Sequence, residues 1–76
     1  MVGYIYLTTN LVNGKKYIGK RQSSVFEVRY KGSGKYLKNA INKYGWDNFS
    51  CEVLEWCETI EDLVNAEKRY IAESNA

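Results

Sequence analysis

Asn13-Gly14 lies between two alternating runs of β-branched and aromatic residues, and this arrangement narrows the possible folds more than any other feature of the chain. A tight hairpin turn needs positive φ at its central positions, which Asn-Gly adopts at little cost. The flanks, VGYIYLTT (residues 2–9) and KKYIGK (residues 15–20), then read as paired antiparallel strands. A two-residue turn would set Tyr6 opposite Arg21 and Thr8 opposite Gly19. Tyr4, Tyr6 and Thr8 would share a face with Tyr17, Gly19 and Arg21, while Ile5, Leu7 and Ile18 take the other. The aliphatic face belongs against a core. The second face gathers three phenols, an arginine and a glycine that leaves space.

A hairpin needs further elements to be stable in water. Residues 21–33 have no clear period and read as loop or a short helix. Residues 34–44 read as a helix, with Ser33 as its N-cap and Gly45 just past its end. The apolar stripe of that helix is Leu37, Ala40, Ile41 and Tyr44; Lys35, Lys38, Asn39, Asn42 and Lys43 form a cationic, amide-rich outer surface. Residues 49–56 read as a third strand, and Thr59 with Asp62 makes a variant capping box for a last helix over residues 60–74. The expected fold class is α+β: a small three-stranded antiparallel sheet flanked by helices, in a single domain over residues 1–76.

Composition excludes several chemistries. The chain has no histidine, which removes Ser-His-Asp hydrolases, Cys-His proteases and zinc sites of ordinary ligation. Cys51 and Cys57 are too few for a disulfide scaffold and are expected as buried or half-buried thiols in a reducing cytoplasm. No apolar run approaches the roughly 18 residues that a membrane span needs, and the N-terminus lacks a signal-peptide layout.

The net charge of +2 conceals a segregation. Residues 15–43 carry nine of the eleven cations and only one anion, Glu27, whereas residues 47–73 carry eight of the nine anions. Such asymmetry suits a positive surface facing a polyanion, although lysines scattered over a soluble surface are the ordinary alternative.

One residue breaks the pattern of the last helix. Ile60, Leu63, Val64, Tyr70 and Ile71 form its expected buried stripe, and Glu67 falls within that stripe. A carboxylate there needs a cation, a metal or hydrogen-bond donors to offset its desolvation. Periodicity alone favours an edge position paired with a lysine. Seven tyrosines invite a second comparison, between half-buried strand packing and acid–base chemistry. A phenol acts as a general base only where nearby cations favour phenolate or a metal-bound water takes up its proton. Tyr17 is a candidate, with Lys15 and Gly19 on its own face and Lys16 and Lys20 close in sequence.

The segment GYIYLTTNLVNGKKYIGK resembles the opening of the GIY-YIG nuclease superfamily. Tyr4-Ile5-Tyr6 occupies the first signature, with Tyr4 in place of the usual glycine, and Tyr17-Ile18-Gly19 matches the second. Ten residues separate Tyr6 from Tyr17, a spacing common in the family. Residues 32–56, GSGKYLKNAINKYGWDNFSCEVLEW, resemble the helix-then-strand block of phage-type homing and free-standing members. Glu67-Lys68-Arg69-Tyr70-Ile71 resembles the block holding the family's metal-binding glutamate.

The resemblance implies a DNA endonuclease that works with a single divalent metal, Mg²⁺ or Mn²⁺, held by Glu67. Tyr6 and Tyr17 match the signature tyrosines, and one of them would activate the attacking water. Gly19 matches the glycine that lets phosphate approach the hairpin, and Lys20 matches a lysine suited to lowering a phenol pKa. The phosphate-clamping arginine would be Arg29 or Arg21. Lys35, Lys38, Asn42 and Lys43 would contact the DNA backbone. The family's histidine has no counterpart, and Asn75 is too close to the last helix to match its downstream asparagine. These departures imply a core cut short at its C-terminus. DNA recognition would then come from a missing domain or a partner protein, in the cytoplasm of a bacterial or phage-infected cell. A module that keeps the fold and binds nucleic acid without cutting is the alternative.

Overall fold

The computed structural model describes residues 1–27, 30–32 and 34–74. Its elements are β1 (Gly3–Asn10), β2 (Lys16–Arg21), α1 (Lys35–Tyr44), a 3-10 turn (Trp46–Asn48), β3 (Phe49–Cys57) and α2 (Ile60–Ser74). The sheet order is β2-β1-β3 with both pairings antiparallel, so β1 is central and β2 and β3 are edges. This is the α+β arrangement expected from the sequence.

The hairpin closes differently from a two-residue turn. Asn10 N–H donates to the Lys15 carbonyl at 2.8 Å and Gly14 N–H to the Asn10 carbonyl at 2.7 Å, leaving Leu11–Gly14 as the loop. Gly14 holds the positive φ, 77°. Asn10 Oδ1 accepts from Val12 N–H, and Asn13 Oδ1 from Lys15 N–H, each at 2.9 Å. These side chains hold the loop through local bonds of the Asx type. The longer loop moves the register by two residues: Tyr6 faces Gly19, not Arg21, and Arg21 faces Tyr4. A shift of two keeps every side chain on its expected face.

Both faces of β1 are buried, which the hairpin pattern alone does not reveal. On one side Ile5 packs with Cys57, Leu63 and Ala66, flanked by Ile18, Leu54 and Tyr70. On the other, Tyr4, Tyr6 and Thr8 lie beneath residues of the 22–32 segment. Phe26 lies 5.6 Å from Tyr4 and Tyr30 lies 5.6 Å from Tyr6, centroid to centroid. Glu27 N–H donates to the Tyr4 hydroxyl at 3.3 Å, and the Thr8 hydroxyl donates to the Lys31 carbonyl at 2.6 Å. The described part of this segment contains no helix and acts as a strap.

The α1 N-cap is Gly34, without a side-chain cap bond, and the expected cap Ser33 lies outside the described residues. Leu37 is its buried residue, with Ala40, Ile41 and Tyr44 half-buried. The α2 cap is present: Thr59 Oγ1 accepts from Asp62 N–H at 3.0 Å. The buried stripe of α2 needs correction. Leu63 and Ala66 are buried and Tyr70 half-buried, whereas Ile60 and Ile71 are exposed. Apolarity selects all the aliphatic positions, but the sheet covers only those above Ile5 and Cys57. Among the described residues no helix is long and apolar enough to cross a membrane.

Candidate active site

A cleft of about 560 Å³ lies along β2. Tyr17, Ile18, Gly19 and Lys20 all line it, so both faces of β2 contribute and the cleft wraps the strand's free edge. Tyr6 reaches it from β1, Gly34–Leu37 from the start of α1, and Ile60, Leu63, Val64 and Glu67 from α2. Strand pairing and helix docking thus bring Tyr6, Tyr17, Gly19, Lys20, Lys35 and Glu67 to one place.

Glu67 sits at the margin of the α2 stripe, its side chain 22% exposed, with Oε1 3.1 Å from Lys20 Nζ. The pairing with a lysine that periodicity favours is therefore present, and it lies within the cleft. Tyr6 is a different kind of phenol from Tyr17. It is 5% exposed, and burial pushes its pKa well above the ordinary tyrosine value, with a further contribution from hydrogen bonding to Tyr30. Tyr6 therefore holds its proton. Tyr17 is half-buried and opens on the cleft, with Lys15 Nζ 5.9 Å from its ring centroid. Gly19 provides the clearance for this arrangement: a Cβ there would overlap the Tyr6 hydroxyl.

The other expected residues lie elsewhere. Lys38, Asn42 and Lys43 are exposed on α1 but do not line the cleft. Arg21 turns toward the strap: its Nε donates to Glu27 Oε1 at 2.9 Å, and its guanidinium lies 4.3 Å from the Tyr30 centroid. The Arg21 hydrogen bond holds the Glu27 carboxyl below its ordinary range. Arg29 lies outside the described residues, as does Asn75. Part of the basic segment is structural. Lys31 Nζ donates to the carbonyls of Trp46 (3.0 Å) and Phe49 (2.6 Å) and lies 3.6 Å from the Trp46 ring centroid. Tyr36 and Ile60 line the cleft and were not expected there. The position of Tyr36 off the α1 apolar stripe was the available signal for one of them.

The donor set limits which metal could fit. Among the described residues no group of three His, Cys, Asp or Glu side chains could hold an ion. The cleft offers one carboxylate and three phenols, which suits a hard cation that keeps several waters and takes further oxygens from a phosphate. Cys51 is half-buried, Cys57 is buried, and both are free thiols whose pKa values burial raises. Neither is poised as a nucleophile.

Comparison with known proteins agrees with this geometry. Endonuclease segA of Enterobacteria phage T4 is 35% identical over 68 residues, covering 90% of this chain and 31% of the relative. Two further proteins of that phage, segE and segB, bear the endonuclease name provisionally. The first is 45% identical over 71 residues, covering 93% of this chain and 35% of its own length. The second is 44% identical over 73 residues, covering 96% and 33% respectively. The chain thus spans about a third of the length of these curated relatives. No solved structure gave a significant match. The family profile described as the GIY-YIG catalytic domain matches residues 2–76. With the two tyrosines, the glycine and the glutamate gathered on one cleft, the chain belongs to the GIY-YIG catalytic domain family.

Proposed function

We propose that this chain is the catalytic part of a DNA endonuclease and hydrolyses a phosphodiester bond in the cleft along β2. The observation that carries this reading is the convergence of Tyr6, Tyr17, Gly19, Lys20 and Glu67, from three elements, on that cleft. Glu67 would hold a single Mg²⁺ or Mn²⁺. When bound, the ion supplies Lewis-acid stabilisation of charge on the scissile phosphate and the leaving 3′-oxygen.

The residues divide the remaining work. Tyr17, the phenol open to the cleft, accepts a proton from the attacking water at its hydroxyl oxygen as it passes its own hydroxyl proton on to solvent in the cleft. Tyr6 stays neutral because of its burial and acts as a hydrogen-bond donor. Gly19 lets the phosphate come close to β2, and Lys20 offsets the developing negative charge. Arg29 clamps the phosphate, or Arg21 does once released from its pair with Glu27. Lys35, Lys38, Asn42 and Lys43 steer the DNA backbone along α1, a sequence-independent contact that weakens as salt rises. Target selection comes from a segment outside this chain or from a partner, in a bacterial or phage-infected cell.

The Lys20–Glu67 pair supports one second reading. It satisfies the carboxylate without a metal, as a module that binds without cutting would require. Plasmid nicking with Mg²⁺ or Mn²⁺ separates the two. Wild type is expected to nick, with Tyr17→Phe slower by about 100-fold or more and Glu67→Gln inactive. Cleavage that survives Glu67→Gln would overturn the metal assignment. Salt-sensitive DNA binding without cleavage would favour the binding module.

A further inference from the structure

Exposed apolar side chains on the described surface occur mainly at the hairpin tip, the strap and the chain ends, but Tyr36 and Ile60 both stand in the cleft. Tyr36 is 81% exposed and Ile60 48%. Neither is needed by its own helix: Tyr36 lies off the α1 stripe, and Ile60 lies outside the core over Ile5. One comes from the first turn of α1 and the other from the first turn of α2, so two separate helices each place an apolar side chain on the wall of one cleft.

That space is larger than hydrolysis requires. About 560 Å³ falls within the range of pockets that hold organic ligands and is several times what a phosphate group needs. Lys20 and Lys35 in the cleft, with Lys38 and Lys43 further along α1, make the surroundings attractive to an anionic strand. An exposed phenol ring in a cationic groove is the ordinary platform for a nucleobase, because every base has a face that can stack. An aliphatic side chain can wedge beside a base that has left its stack.

We propose that Tyr36 and Ile60 form a clamp for one unstacked DNA base beside the phosphate that enters the cleft. The clamp rests on the nuclease reading for the identity of that phosphate. It gives the domain its own preference for single-stranded, frayed or distorted DNA, since a paired base stays within its stack and does not reach Tyr36.

Fluorescence anisotropy with a labelled single-stranded 12-mer and the matching duplex, in EDTA over a series of salt concentrations, tests this. Tyr36→Ala is expected to weaken single-strand binding about tenfold at every salt concentration. The slope of log affinity against log salt should not change, because no phosphate contact is lost. Tyr36→Phe should bind like wild type, Ile60→Ser should bind more weakly, and Lys35→Ala should flatten the slope. Tyr36 is so exposed that its variants should melt like wild type. Photocrosslinking of a 12-mer containing 5-iodouracil should mark Tyr36. Single-strand binding by Tyr36→Ala equal to wild type would overturn the clamp, and plasmid nicking by wild type would then leave the nuclease reading standing. Tyr36-dependent binding without any nicking would do the reverse.

Discussion

Gly19 illustrates how much of this site depends on a single position. It lies opposite Tyr6 in the sheet, and an added Cβ would overlap the Tyr6 hydroxyl and come within 3.0 Å of Cε2. Tyr6 cannot easily move away, being 5% exposed and packed edge-on against Tyr30 at 5.6 Å. Gly19→Ala should therefore destabilise by about 1–3 kcal/mol, as overpacking of a buried site does. It should also lower nicking at temperatures where the variant remains folded, because the Tyr6 phenol is displaced. Urea melts and nicking rates measured on one preparation check both effects; a normal rate at normal stability would show that Tyr6 is not constrained by Gly19. Glu67 shows the complementary case. Its position in a hydrophobic stripe was visible from periodicity, but its pairing with Lys20, 47 residues away, required the docking of α2 on β2.

Among the elements, α2 carries both the core and the carboxylate. Leu63 and Ala66 anchor it over Ile5, and Glu67, one turn on from Leu63 and next to Ala66, faces the cleft. Its start is held by Thr59, whose hydroxyl accepts from Asp62 N–H. Thr59→Ala should cost about 1 kcal/mol and lower Tm by roughly 4–8 °C in a domain of this size, with Thr59→Ser recovering most of the loss. A calorimetric scan showing no change would mean that the cap does not limit α2. Helix ends and strand cores were legible because their signals are local: Thr59 with Asp62, Gly45 after Tyr44, and the alternation in β1. The strap was not legible. Its order comes from Glu27 N–H on Tyr4, the Thr8 hydroxyl on the Lys31 carbonyl, and Arg21 on Glu27 and Tyr30, none of which leaves a hydrophobic period.

In the molecule as a whole, the strap converts a half-exposed sheet into one buried on both sides of β1. The result is a layer of phenols that is costly to ionise. Burial is the main reason that both Tyr4 and Tyr6 have raised pKa values, so the folded protein keeps these protons where the unfolded chain releases them. A raised folded pKa contributes stability below the unfolded value, about 10 for tyrosine. That contribution is lost as pH rises from there toward the folded values, because the unfolded chain then binds fewer protons. Urea midpoints should therefore fall with pH above about 10, and more gently in Tyr6→Phe, which has one fewer buried phenol to ionise. A wild-type midpoint that does not decline in that range would contradict the buried phenol layer. The segregated charge reads differently at this scale as well. Arg21 and Lys20 are each paired with a carboxylate, so the positive field comes from the exposed lysines of the hairpin and α1 more than from the whole run.

By itself, the sequence determined the α+β class, the order and near-limits of the elements, the face parity of the hairpin and the candidates Tyr6, Tyr17, Gly19, Lys20 and Glu67. The class, the elements and the parity follow from interactions within one element or across one turn, where spacing along the chain stands in for distance; the site candidates come from the likeness of their motifs to the GIY-YIG signatures. Tertiary structure alone decided the burial of Tyr6 against the openness of Tyr17, the turning of Arg21 to the strap, and the exposure of Tyr36 and Ile60 in the cleft. These depend on which surfaces meet when β2, the strap and the two helices close around β1. Contacts between residues far apart in the chain leave no period or motif from which they can be read.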